Sequence, residues 1–320
     1  MICNQPTGAV LPTDWGGSPP QSTCQPDQKN ENMTTRTTRA KWTRKSILDK
    51  LRAKIAKSEP LVLGGAGVGL VAKAIDKAGI DVIMAYNTGP FRMDGHGSLS
   101  GYLAYGDANQ ITIDLAMSIL PAVTNTPVIA GIGAADPRRD PIALIDIMLE
   151  LGYSGITNVP TAGLYDGNFR QQIDGTNLGY PREIELIAAC NEKDVFTVAY
   201  VFSPEEAAAM TKAGADVIGA HVGLTTGGMI GSPAALKTED ACAAIQEMTA
   251  AAREINPDVI VVAHGGPFED PKSVQCAYQL TDVDGYLGAS GIERLPVEKA
   301  LSDIVAQYRN LEMPRTRKKV

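Results

Sequence analysis

The chain has 320 residues and a mass of 33.8 kDa, a length that suits one (β/α)8 barrel plus a tail. Hydrophobic residues make up 44% and charged residues 20%, so a substantial core can form. A net charge of -7 and a pI near 5.1 argue against nucleic acid as a partner, because a duplex binder needs a basic face to release counterions.

No apolar stretch approaches the roughly 18 residues that a membrane span needs, so no membrane partner is expected. The N-terminus lacks the basic-then-apolar pattern of a secretory signal. The five cysteines, Cys3, Cys24, Cys190, Cys242 and Cys276, contain no C-x-x-C pair. They read as reduced thiols of a cytoplasmic protein.

Residues 1–40 are rich in Pro, Gly, Thr, Ser, Asn and Gln without hydrophobic period, which predicts a disordered tail. Residues 41–310 read as one catalytic barrel domain, and residues 311–320 as a basic C-terminal tail. Trp42 to Lys57 predicts one extra amphipathic helix, with Ile47, Leu48, Leu51 and Ile55 on one face, closing the barrel bottom or packing on one side.

Eight short apolar runs follow: 61–63, 81–85, 127–130, 154–157, 195–199, 216–220, 258–262 and 285–288. Each suits a parallel strand buried on both faces. Helix starts lie between them at Asp140-Pro141, Asp270-Pro271 and Ser203-Pro204-Glu205-Glu206, the last a predicted capping box. Gly79 and Gly214 sit where helices should end. An echo marks the unit: Ala78-Gly-Ile-Asp-Val-Ile83 recurs as Ala213-Gly-Ala-Asp-Val-Ile218, and more loosely as Asn256-Pro-Asp-Val-Ile260.

Eight such units match a closed barrel better than an open doubly wound sheet. Gly64-Gly-Ala-Gly-Val-Gly69 approaches a dinucleotide-binding pattern, but a tight strand-to-helix turn explains it equally well, and no nucleotide or organic cofactor is expected.

In a barrel, the segments after the strands share one rim. Two of only three histidines, His221 and His264, end neighbouring predicted strands and are candidates for proton transfer. Gly265, Gly266 and Ser290 fall after the last two strands, where small residues can turn backbone N–H groups toward an anion. Arg92 and Arg170 can fork a carboxylate or phosphate. Asp107 and Asp136 are candidate bases or Mg2+ ligands, with helix capping the alternative. Glu293 is a further candidate catalytic group, and Asn87, Asn158, Thr225 and Thr226 are candidate substrate contacts. A zinc site built on the two histidines lacks an obvious third ligand.

Several long phrases carry a family resemblance. They include Tyr86-Asn-Thr-Gly-Pro-Phe-Arg-Met93, Tyr105-Gly-Asp-Ala-Asn109, Asp166-Gly-Asn-Phe-Arg170, Ala220-His-Val-Gly-Leu-Thr-Thr-Gly-Gly228 and Gly288-Ala-Ser-Gly-Ile-Glu-Arg-Leu-Pro296. Over roughly residues 44–308 the chain resembles the phosphoenolpyruvate hydrolase-like TIM-barrel family, within the phosphoenolpyruvate/pyruvate-binding barrels. A similar barrel occurs in a plant virus-resistance protein. The resemblance implies a hydrolase or C–C lyase acting on a small anionic metabolite, a phosphoenolpyruvate-like or 2-oxo acid, often with Mg2+, and it goes with a homo-oligomer. It places acidic metal ligands after strands 3 and 4. Asp136 can fill the first place, but Asn158 stands where the second acid is expected. The alternative reading is a non-catalytic ligand-binding or signalling barrel.

Overall fold

The computed structural model describes residues 41–234 and 236–313. The expected disordered tail at 1–40 and most of the basic C-terminal segment lie outside the described residues. Eight strands form a closed parallel barrel in sequence order, from β1 next to β2 round to β8 beside β1. They are β1 (Leu61–Gly65), β2 (Val82–Ala85), β3 (Val128–Gly131), β4 (Gly155–Thr157), β5 (Phe196–Val201), β6 (Val217–His221), β7 (Ile260–His264) and β8 (Gly285–Gly288).

Helices precede and alternate with the strands. In the first half they are α1 (Arg44–Ile55), α2 (Gly69–Lys77), α3 (Thr88–Met93), α4 (Ala108–Ile119), α5 (Pro141–Leu151) and α6 (Gly167–Gly175). The second half adds α7 (Pro181–Glu192), α8 (Pro204–Lys212), α9 (Thr238–Ile255), α10 (Pro271–Leu280) and α11 (Arg294–Arg309). Among the described residues, no helix is long and apolar enough to cross a membrane.

Strand periodicity divides the side chains. On β5, Phe196, Val198 and Tyr200 join Leu61, Leu63, Val82, Met84 and Val262 inside the barrel. Ala199 and Val201 point outward to the helices. The extra helix α1 plugs this interior, because its Ile47 and Leu51 belong to the same inner cluster. Thr43 caps α1 in a reciprocal box with Ser46.

The sequence echo has a structural cause. The Asp81 carboxylate accepts from Val62 N across β1–β2, and Asp216 accepts from Thr197 N across β5–β6. Asp284 does the same for Val261 N across β7–β8. Each ties a strand start to its neighbour. Asp258, in the looser echo, is exposed, and only its backbone N–H is engaged, donating to Asn256 Oδ1, so Asp284 is the true third member. Basic side chains complete the ties: Arg44 forks Asp216, Lys54 reaches Asp81, and Arg253 reaches Asp284. Two of these cations come from α1, which is thereby locked beneath the barrel.

The helix caps follow the expected residues with one correction. Asp140, Ser203 and Asp270 cap α5, α8 and α10. At α8, however, Glu206 does not close a box on Ser203. Its carboxylate accepts from Phe202 N and pairs with Arg170.

Removing one strand tie should be felt globally. Asp216→Ala leaves Arg44 and the Thr197 amide without their acceptor, and is expected to lower unfolding free energy by about 2–4 kcal/mol. Asp258→Ala should change it by less than about 0.5 kcal/mol. Urea unfolding followed by circular dichroism checks both, and equal effects would remove the distinction between the two aspartates.

Candidate active site

The C-terminal ends of the strands surround a small, narrow cavity of about 40 Å3. Its wall includes Arg92, His221, Thr225, His264 and Ser290, which were expected at the mouth, together with Tyr86, Tyr102 and Tyr200. That volume holds about three waters. A larger open groove of about 540 Å3 lies beside it and shares Tyr102 as a wall. The groove contains neither histidine, and both line the smaller space.

Barrel register brings the histidines together. His221 of β6 is paired directly with His264 of β7, and the ring centroids are 4.5 Å apart. Tyr200 stacks obliquely near both, at 4.9 Å from His264 and 5.5 Å from His221. The backbone sets the two tautomers. His264 Nδ1 lies 2.7 Å from the Leu287 carbonyl, so it must carry the proton, and Nε2 keeps a lone pair. His221 Nδ1 accepts from Gly223 N at 3.0 Å, so its proton sits on Nε2. Burial pushes His264 down to about 4, and burial together with the neighbouring His264 holds His221 well below its ordinary range. Both rings are neutral at pH 7.

Arg92 enters from α3 and is fixed by an acid from the other side of the barrel seam. Arg92 Nε donates to Glu293 Oε2 at 2.9 Å, and Nη1 donates to Thr88 at 2.7 Å. Nη2 is 2.7 Å from the same Glu293 oxygen, an ion pair, but it makes no hydrogen bond among the described residues. Arg92 and Glu293 side chains are 2% and 0% exposed. The other Glu293 oxygen accepts from Gly67 N. Glu293 does not line the cavity; it orients Arg92, and the catalytic role expected for it does not fit this geometry.

The glycine run is explained by packing. A side chain on Gly67 would collide with the backbone of Gly89 and Pro90, and one on Gly65 would crowd Tyr86 and Arg92. Close backbone approach, rather than a nucleotide phosphate, accounts for these residues.

Several expected contacts lie elsewhere. Asp107 caps α4 and pairs with Arg138 and Arg139 in the outer groove. Asp136 is held by Asn109, Arg138 N and Arg139. Arg170 pairs with Asp174 and Glu206 and lies over Tyr180. Asn158 binds Glu183 and both backbone groups of Tyr200. Thr226 donates to Glu269. Gly265 and Gly266 both have positive φ, but the Gly266 amide donates to Gly223 O and is not free for an anion. Asn87 Nδ2 holds Gly101 O, while its Oδ1 has no partner among the described residues.

Glu183 gave no sequence signal, since an acid in the first turn of α7 reads as ordinary dipole compensation. It is buried beneath the β4 loop, where Asn158 Nδ2 and Ala162 N donate to it, each at 2.6 Å. Burial pushes its carboxyl up to about 8. Tyr102 was missed because it lies in the long irregular segment after β2.

Mg2+ requires oxygen ligands, usually carboxylates. Among the described residues, no carboxylate lines the central cavity. The acids nearby are committed to guanidinium or amide donors, and among the described residues no group of three His, Cys, Asp or Glu is assembled for a metal. Asp136, the expected ligand, faces Arg139 at 3.1 Å. These residues do not fit a resident Mg2+.

Comparison with known proteins agrees with this architecture. The family described as phosphoenolpyruvate hydrolase-like matches residues 46–311. The ToMV susceptible protein tm-1(GCR26) of Solanum lycopersicum is 44% identical over 83% of this chain and 36% of its own length. The ToMV resistance protein Tm-1(GCR237) of the same plant is 43% identical over 90% of this chain and 37% of its own. The chain thus spans little more than a third of these relatives. Oxaloacetate acetylhydrolase in complex with 3,3-difluorooxalacetate superposes with a TM-score of 0.52, at 16% identity, over 85% of this chain and 89% of that one, a likeness of fold. By its family match and its shared sequence with the tomato proteins, the chain belongs to the phosphoenolpyruvate hydrolase-like family.

Proposed function

We propose that the barrel mouth is the active site of an enzyme that moves a proton on a small 2-oxo acid or enol phosphate, with hydrolase or C–C lyase chemistry. One observation carries this reading: the cavity wall combines a neutral histidine acceptor with the buried Arg92 guanidinium, whose Nη2 is ion-paired to Glu293 but makes no hydrogen bond among the described residues. In this scheme Arg92 Nη2 binds a substrate carboxylate or carbonyl oxygen. His264 Nε2 accepts the substrate proton, and His221 Nε2–H donates to the enolate oxygen as charge develops there. Ser290 and Thr225 supply further hydroxyl contacts.

The rival reading is a non-catalytic ligand-binding or signalling barrel. The tomato relatives support it, since their names concern virus susceptibility and resistance. Turnover separates the two. A panel of 2-oxo acids and enol phosphates, followed by product detection, is expected to yield a substrate, and His264→Gln should lower its turnover about 10²–10⁴-fold. Full activity of His264→Gln would exclude His264 as the base.

The histidines also set an acid limit. His264 has its pKa lowered to about 4 in the folded chain, against about 6.5 unfolded. The unfolded chain therefore binds the extra proton between those values. The stability from the neutral ring is present above pH 6.5 and is lost as pH falls toward 4, by about 3 kcal/mol. Thermal melts from pH 7 to 4 should show a shallower decline for His264→Gln than for the parent; parallel curves would refute the assignment.

A homo-oligomer and a cytoplasmic location belong to the same proposal. Leu301, Ile304, Val305, Tyr308 and Leu311 form an exposed stripe along and just beyond α11, at helical spacing. Cys190, Cys242 and Cys276 are free thiols, consistent with a reducing compartment. Sedimentation velocity is expected to show an oligomer that Leu301→Asp with Val305→Asp dissociates; a monomeric parent chain would overturn the oligomer.

A further inference from the structure

The central cavity contains one cationic side chain, and that charge is already cancelled. Arg92 shares two close approaches with Glu293, at 2.9 and 2.7 Å, in a fully buried pair. The other described side chains of the wall carry no charge at neutral pH, the two histidines included. For His221 the geometry alone requires this, because a ring nitrogen that accepts the Gly223 amide cannot carry a proton. The site therefore offers hydrogen-bond donors, one imidazole acceptor and no net charge.

Such a site discriminates by ligand charge. The penalty for moving an ion out of water grows with the square of its charge, so an enol phosphate trianion pays roughly nine times what a monoanion of similar size pays. Sites for multiply charged ligands offset that penalty with uncompensated cations or metals. Among the described residues no such free cation is at hand: Arg138 and Arg139 are tied to Asp107 and Asp136 in the outer groove. The small volume of about 40 Å3 also favours few heavy atoms.

We infer that the cavity selects small carbonyl compounds with at most one negative charge, a 2-oxo monoacid or its ester, over oxalate-like dianions and enol phosphates, and that Glu293 sets this selectivity by neutralising Arg92. Glu293 is thus a positioning residue that acts through Arg92. The inference rests on the 2-oxo acid reading proposed above and narrows it to one half of the substrate range.

Isothermal titration of the full chain at pH 7.5 tests it with pyruvate, methyl pyruvate, oxalate, phosphoenolpyruvate and inorganic phosphate. Pyruvate or methyl pyruvate should bind at least tenfold tighter than oxalate, phosphoenolpyruvate or phosphate. Glu293→Gln keeps an oxygen for Gly67 N and frees the Arg92 charge, and should bind oxalate at least tenfold tighter than the parent does. Oxalate or phosphoenolpyruvate matching pyruvate in the parent chain would overturn the charge selection while leaving the site in place. A folded Glu293→Gln with unchanged oxalate affinity would overturn the role of Glu293. Failure of all five probes on the parent chain would remove the 2-oxo acid reading and this inference with it. If circular dichroism shows Glu293→Gln unfolded, the parent series decides the selectivity by itself.

Discussion

The buried ion pair between Arg92 and Glu293 is the interaction on which the mouth of the barrel depends. Its partners are 201 residues apart in sequence, and only closure of β1 against β8 brings them together. A pair removed from water is costly unless every polar atom finds a partner. Here Thr88, Gly67 N and the two charges satisfy most of them. One guanidinium nitrogen, Nη2, makes no hydrogen bond among the described residues although it stays within 2.7 Å of Glu293. The same pair dictates glycine around it, because Arg92 and Tyr86 lie above Gly65 and the β1 and β2 loops touch backbone to backbone at Gly67 and Gly89.

The histidine pair depends on register in a similar way. Because β6 and β7 align His221 with His264, both rings project into one space, and neighbouring backbone groups fix opposite tautomers. A neutral donor beside a neutral acceptor suits chemistry in which a proton leaves one substrate atom while negative charge gathers on another. With Arg92 cancelled by Glu293, the cavity acts through oriented dipoles rather than through net charge. That distinguishes it from a cation-rich phosphate site.

The candidate side chains that lie away from the central cavity share a cause. Asp107, Asp136 and Arg170 follow the correct strands and have the right chemistry, but each found a partner of opposite charge outside the cavity. Asn158 and Glu293 stand one layer behind the wall, where they hold Tyr200 and Arg92 in place. Glu183 carried no mark at all, since its burial comes from the β4 loop folding over it. Partner choice in loops is set by groups distant in sequence, and no periodicity records it.

What the sequence determined by itself was the ring of strands and helices. Apolar runs of strand length, capping residues at Asp140, Ser203 and Asp270, and the Ala-Gly-x-Asp-Val-Ile echo are local signals, and local hydrogen bonds and burial enforce them. The family followed from phrases long enough to match as strings. Only the tertiary structure decided which polar groups face the cavity, which are cancelled, and that the site is neutral. The physical reason is that burial and ion pairing are properties of a side chain's surroundings, and those surroundings exist only once the barrel has closed.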